Sequence, residues 1–353
     1  MKYYSIHDLV GVEVDDKYPW SNNLCVSKGI SKTGKESYDN CNKKIKITFV
    51  EHLRVDDVRY IGDKSYINST TYVDMEYGAR IQKKEYGFDL ETAQECNEWL
   101  IILLQILLVN QGYTLIHGAG IEKNGKALIL PSWGGVGKTA TVCHFIRKEN
   151  WRLLGDDLTI VGHNSVLPFL KPFVIYPYHK DLFPEQFSNG KNRTIKNMKI
   201  NSYLSHVIPF VKGILRPFPK ILAYLRRHNP QSISVSPFEI FAEVQLSKGG
   251  TPSKFIWLER TISDQPKDYI LTAEEITSKI VTVTSLELFS KKLNDIYKMC
   301  GCGLLNYNDT IHQMYNIVYG TVKELQCKEI EIPTTVNINN VGEIIGSFID
   351  DFC

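Results

Sequence analysis

The sequence predicts a mixed α/β chain of the α+β kind: a small β-rich part over residues 1–92 and a larger core, built around a phosphate loop, over residues 93–353. Three observations carry that expectation. Two apolar runs flank Asn124-Gly125, the strongest short-range signal for a β-hairpin. The second run leads into Leu130-Pro-Ser-Trp-Gly-Gly-Val-Gly-Lys-Thr139, a glycine-rich turn that opens a helix. A further short apolar run, Trp151 to Leu154, then ends at Gly155-Asp156-Asp157.

The elements follow in order. Up to about residue 90 the chain reads as short strands, at Ile45–Val50, Asp57–Tyr60, Tyr66–Asn68 and Thr71–Tyr77, punctuated by Gly, Asn and Asp. A helix is expected from about Ala93 to Gln111, with Thr92 and Glu95 as a capping box and Gly112 as its stop. Its apolar run, Leu100 to Val109 broken only by Gln105, is too short to span a bilayer and reads as buried. The hairpin strands cover Thr114–Glu122 and Lys126–Leu130, and the loop's helix runs from about Lys138 to Glu149. Trp151–Leu154 is a strand, and Leu158–Val161 continues extended. Further on, strands are expected at Glu239–Gln245, Lys254–Glu259 and Lys328–Ile332, and helices at 285–299, 309–318 and Asn340–Phe352. Residues 186–235 hold nine Lys or Arg and no Asp or Glu, and read as a basic insertion.

Of the 353 residues, 43% are hydrophobic and 23% charged, the balance of a soluble globular protein. A net charge of +2 gives no global pull toward nucleic acid or membrane, and no nucleic-acid-binding motif is present. The opening MKYYSIHDLV lacks a basic stretch followed by an apolar core, so a cytoplasmic location is expected. The eight cysteines are irregularly spaced and are expected as reduced thiols; Cys300-Gly-Cys302 is too close for a zinc knuckle.

The glycine-rich turn has the chemistry of a P-loop. Gly134, Gly135 and Gly137 let backbone N–H groups turn toward an anion, and the helix N-terminus adds its dipole. Lys138 brings a full charge to the β and γ phosphates, and Thr139 offers a hydroxyl to Mg²⁺. Ser132 stands where the common pattern has its first glycine. The nucleotide-facing set is therefore Ser132, Gly134, Gly135, Val136, Gly137, Lys138, Thr139 and Ala140, with ATP and Mg²⁺ as the ligands. Counting back from Asn124-Gly125 pairs His117 with Ser132, beside the start of the loop. A right-handed crossover sets the strand before Asp156 and Asp157 parallel to the loop's strand, so the carboxylates emerge at the same edge. One can bind Mg²⁺ while the other takes a proton from an attacking hydroxyl.

His117-Gly118-Ala119, a hairpin, Gly134-Gly-Val-Gly-Lys-Thr139 and Trp151-Arg-Leu-Leu-Gly-Asp-Asp157 together resemble the HPr kinase/phosphorylase family, and more loosely the fold of the phosphoenolpyruvate carboxykinases. The block covers residues 113–162. The resemblance implies an HPr kinase-like P-loop core and ATP-dependent phosphorylation of a hydroxyl. It implies catalytic roles for His117, Lys138, Asp156 and Asp157, with Asp156 as proton acceptor and Thr139 and Asp157 at the metal. The family's later Glu-Ile-Arg-Gly-Leu-Gly run is absent. Relatives with a β-rich N-terminal part, which phosphorylate ribosomally made peptides such as lasso peptides, or free serine, are the better comparison.

The expected partner is a peptide or protein substrate, acidic or held by its C-terminal carboxylate; the basic stretch reads as a solvated insertion, with docking of such a substrate and contact with nucleic acid as the alternatives, and the oligomeric state is left open. Arg260, ending Phe255-Ile-Trp-Leu-Glu-Arg260, is a candidate to stabilise charge on the transferring phosphoryl group. The competing expectation is a nucleotide-binding ATPase switch.

Overall fold

The computed structural model describes residues 1–21, 24, 34–188 and 232–349, and it is mixed α/β with two large sheets. The basic stretch at 186–235 lies outside the described residues except at its two ends. The first sheet is built from β1 (Lys2–Ile6), β2 (Val10–Val14), β3 (Lys43–Phe49), β4 (Arg59–Gly62), β5 (Ser65–Ile67), β6 (Thr71–Asp74), β7 (Ala79–Lys84) and β8 (Gly87–Thr92), in the order β1-β2-β3-β8-β7-β6-β5-β4. The pairs β2·β3 and β3·β8 are parallel and the others antiparallel. A short helix, α1 (Lys35–Asn40), precedes β3. Strands β1, β2, β7 and β8 went unnoticed in the sequence because each is only five or six residues long, although Val10, Val12 and Val14 of β2 and Phe88 and Leu90 of β8 do alternate with polar or glycine positions.

Helix α2 (Asn97–Val109) packs into a core shared by the two sheets. That core joins Val12, Ile45, Leu90 and Leu103 to Leu115, Leu158 and Ile160 of the second sheet. Burial of Trp99, Leu100, Ile102, Leu103, Leu104, Leu107 and Leu108 explains the apolar run. Gln105 interrupts it because its amide donates to Thr114 Oγ1 at 2.7 Å and accepts from the Leu115 N–H at 2.8 Å. The helix starts later than expected. Thr92 ends β8 and turns its hydroxyl to Gln94, so Cys96 takes the N-cap position without a side-chain cap. No described helix is long and apolar enough to cross a membrane.

The second sheet comprises β9 (Tyr113–Lys123), β10 (Lys126–Pro131), β11 (Arg152–Gly155), β12 (Leu158–Gly162), β13 (Ser165–Leu167), β16 (Thr251–Thr261), β17 (Lys267–Leu271) and β18 (Cys327–Pro333). Its order is β13-β12-β9-β10-β16-β18-β17, with β11 also paired to β9. Strands β14 (Phe173–Ile175) and β15 (Ile233–Val235) form a separate ribbon. Asn124 and Gly125 both have positive φ, 54° and 79°, the requirement of a two-residue type I′ hairpin. The β9·β10 register runs without slip from Lys123↔Lys126 to Gly118↔Pro131, as the count from the turn requires.

Helices cover both faces. α3 (Lys138–Lys148) and α9 (Val341–Gly346) pack on one through Ala119, Ile121, Leu128, Leu130, Ile256 and Ile330. α6 (Ala273–Phe289) and α8 (Tyr307–Val322) pack on the other through Ile116, Ile129, Phe255 and Trp257. The segments α4 (Pro184–Ser188), α5 (Pro237–Ile240) and α7 (Leu293–Gly301) complete the described helices. The helix expected at 285–299 is two helices, α6 and α7, separated by a 3₁₀ turn at Ser290–Lys292. The strand expected at Glu239–Gln245 is α5 followed by a 3₁₀ turn. There Ser236 caps the Phe238 N–H while Glu239 accepts from the Ser236 N–H, a local closure that competes with strand pairing.

Candidate active site

Strand β9 lies between β10 and β11 and runs antiparallel to both. The two flanking strands are therefore parallel, and their carboxyl ends leave the sheet at one edge. The expected common edge is present, with β9 inserted between the strands. A register shift between Leu153 and Gly155 bends β11 away, and β12 resumes the pairing at Leu158↔His117. Asp156 and Asp157 occupy that irregularity, with the Asp157 carbonyl accepting the Gly118 N–H at 3.1 Å.

The loop from β10 turns at Gly135 and Gly137, with φ of 79° and 110°. Gly137 is the N-cap of α3 and no side chain caps that helix start. Its first N–H groups thus keep their capacity for an anion. Lys138 folds back under the loop and is only 8% exposed. Its Nζ lies 3.0 Å from the Ser132 carbonyl, 2.9 Å from the Trp133 carbonyl and 3.1 Å from His117 Nε2. An ammonium can only donate, so His117 Nε2 carries the lone pair and the ring proton sits on Nδ1. Nδ1 in turn faces Asp157 Oδ1 at 3.4 Å. Burial, aided by the Lys138 charge, pushes the His117 pKa down to about 4 and keeps the ring neutral. Burial likewise lowers Lys138 to about 8, against the pull of Asp157 and Asp156.

The two carboxylates are driven apart. Asp156 Oδ2 accepts the Thr139 hydroxyl at 3.1 Å, while its buried Oδ1 has no partner. Burial, then the charge of Asp157, pushes Asp156 up to about 7. Asp157 also feels burial upward, but the Lys171 ammonium on its Oδ2, together with His117 and Lys138, outweighs it and holds the carboxyl below its usual range. Neighbouring carboxyls with opposed shifts are the arrangement in which one stays ionised and the other exchanges a proton near neutrality. Asp156, Asp157 and Thr139 form an oxygen set too small to cage a metal, but suited to Mg²⁺ that also takes phosphate oxygens and water. Asp156 Oδ1, orphaned at the edge of that set, is a buried acceptor open to a ligand. Among the described residues no group of three or more His, Cys, Asp or Glu could hold a metal by itself.

These groups line a cleft of about 280 Å³ together with Gly134, Gly135, Gly137, Ala140, Lys171, Tyr176, Tyr178, His179, Glu287 and Ile338. His117, Lys138, Thr139, Asp156 and Asp157 are thus brought together. Ser132 is fully buried beneath the loop, its hydroxyl unpartnered. Val136 is buried too. Arg260 does not line the cleft; its guanidinium donates to the Thr334 and Val336 carbonyls at 3.0 and 2.6 Å and pins the turn after β18. Sequence reasoning missed Lys171, the tyrosines, His179 and Thr284, whose hydroxyl accepts the His117 N–H at 2.9 Å. Lys171 sits in Pro168-Phe-Leu-Lys-Pro-Phe173, a stretch with no motif to mark it. That stretch is held from the first sheet, where His7, in a left-handed turn, places Nε2 2.7 Å from the Pro168 carbonyl. No protein-family model matches the chain, and no curated protein sequence matches it.

Proposed function

We propose that the chain is a Mg²⁺- and ATP-dependent kinase that transfers the γ-phosphoryl group to a serine or threonine hydroxyl of a peptide or protein, on an HPr kinase-like P-loop core. One observation supports this above the others: Asp156, with a pKa near 7 and an unpartnered oxygen, stands beside Thr139 and within reach of the Lys138 charge, at the foot of an uncapped helix start.

The division of labour follows from the charges. Loop N–H groups and Lys138 hold the phosphates of ATP. Bound Mg²⁺, taken up by Thr139 and Asp157, would neutralise phosphate charge. Asp156 accepts the proton of the acceptor hydroxyl. The acceptor oxygen bonds to the γ-phosphorus, the bond to the β,γ-bridging oxygen breaks, and ADP leaves. Neutral His117 keeps Lys138 and Asp157 in register, accepting from the first at Nε2 and donating toward the second from Nδ1.

The test uses γ-labelled ATP incubated with the protein and a cell extract. Label on a peptide or protein is expected. Label on free serine would make the acceptor a metabolite, and release of phosphate alone would make the protein an ATPase switch. Asp156→Asn should cut transfer by about 10²–10⁴-fold while nucleotide still binds, and Lys138→Ala should weaken both. Near-native transfer by Asp156→Asn would remove the role given to that carboxylate.

A further inference from the structure

The cleft has two unlike walls. The phosphate loop and Ile338 form one, with α9 packed behind it so that Val341 stands 3.0 Å from where a Cβ on Gly137 would lie. The other is the strap from Lys171 to His179, which carries the ribbon strand β14 and then Tyr176-Pro177-Tyr178. The tyrosine rings are parallel within 6°, with centroids 5.4 Å apart. His179 fixes them from below, its ring edge-on to Tyr178 at 4.3 Å and its Nδ1 accepting the Tyr176 N–H at 3.3 Å. The platform is nevertheless open to water: Tyr176 is 38% exposed, Tyr178 50% and the neighbouring Val174 46%. Three large side chains with apolar faces thus stand within five residues at the mouth of a polar cleft.

Position says which ligand. In an in-line transfer the attacking and leaving oxygens lie on opposite sides of phosphorus. The leaving side follows the loop, so the acceptor enters from the side of the carboxylates. The strap is on that side: Lys171 is bound to Asp157, and Tyr176 and Tyr178 line the same cleft as Asp156 and Asp157. Charge narrows the class further. Among the described residues the strap's own ammonium, Lys171, is engaged by Asp157, while Asp156 and Glu287 add negative charge. A free amino acid with a bare carboxylate is poorly matched to such a wall; an uncharged peptide segment is well matched.

Resting on the kinase reading above, we propose that Tyr176 and Tyr178 form the acceptor subsite, and that the phosphorylated hydroxyl belongs to a serine or threonine with an aromatic or other flat apolar side chain beside it. The step balances as before, with the peptide Oγ gaining the phosphoryl group, its proton passing to Asp156 and ADP departing.

The experiment measures label transfer from ATP to acetylated, amidated pentapeptides with one serine flanked by Trp, Leu or Gly, and to free serine. The Trp peptide should exceed the Gly peptide by about tenfold in kcat/KM, the scale of one aromatic stacking contact. Tyr178→Ala should erase that preference and Tyr178→Phe, which keeps the ring, should preserve it. Affinity for a non-hydrolysable ATP analogue should change less than about twofold in Tyr178→Ala, since a base stacked on the ring would lose about tenfold or more. Equal transfer to all peptides, a preference surviving in Tyr178→Ala, a tenfold loss of analogue affinity, or bound analogue with no peptide labelled would each overturn the acceptor subsite. Failure of the wild-type protein to bind the analogue would instead overturn the phosphate-loop reading beneath it.

Discussion

Lys138 is the residue on which most of the cleft depends, and its neighbours show why. Its ammonium is saturated by two carbonyls and an imidazole, so a phosphate that recruits it competes with ready-made partners rather than with water. The glycines that allow this fold-back were legible from the sequence, because only residues tolerant of positive φ can turn there. Gly137 is the most constrained of them: φ is 110°, and an added Cβ meets the Val341 side chain at 3.0 Å. Gly137→Ala is expected to destabilise by about 1–3 kcal/mol and to weaken ATP-analogue binding, read by thermal melts and titration calorimetry. Adding Val341→Ala should relieve the contact and leave the backbone strain, so full recovery in the double variant would show that φ is not limiting. Lys171 had no such signature. Its partner Asp157 is distant in the sense that matters, because only the fold of the strap brings the two together.

The elements that were readable are those whose signals are local. The Asn124-Gly125 turn sets the β9·β10 register, and with it the place of His117 beside the loop. The part of α6 before residue 285 escaped because Ile, Thr and Val crowd it and weaken its helical pattern, although Thr272 and Glu275 form a reciprocal capping box at its start. The capping pattern at Thr92 misled for the opposite reason: β8 claims that residue for pairing with β7 and β3. One junction between elements is carried by a buried charge pair. Lys292, in the turn between α6 and α7, lies 3.3 Å from Asp74 of β6, and both are almost fully buried. Its ammonium also sits over the Tyr77 and Trp99 rings. Lys292→Ala leaves Asp74 buried without its cation and should destabilise by about 3–5 kcal/mol. Lys292→Met, paired with Asp74→Asn, which keeps an oxygen for the Glu76 and Tyr77 N–H groups, should recover most of that loss in chemical denaturation.

Across the molecule, buried ionisable groups set the response to pH. The pKa values of His117 and His179 both fall from 6.5 to about 4 on folding, chiefly through burial. Between those values the unfolded chain binds two protons that the folded chain refuses, so this contribution is complete above pH 6.5 and is lost toward pH 4. Asp156 acts oppositely, because its rise from 3.8 to about 7 lets the folded state keep a proton that the unfolded state releases. The balance is one proton, and stability of the ligand-free protein in EDTA should rise with pH by about 1.4 kcal/mol per unit across that window. His7, also lowered by burial, adds in the same direction. Asp156→Asn removes the opposing group and should steepen the slope to about twice that value; denaturant melts at stepped pH measure both, and an unchanged slope would refute the burial assigned to Asp156. The His7 to Pro168 bond has a further meaning at this scale. Phe169, next in the chain and just before the strap, sinks its ring into the same apolar mass as Val12, Ile45 and Leu90. Cutting the polypeptide after Thr92 would therefore not release a smaller copy of the cleft. It would unroof the layer beneath β9 and β12 and unmoor the very band of chain that steadies Asp157.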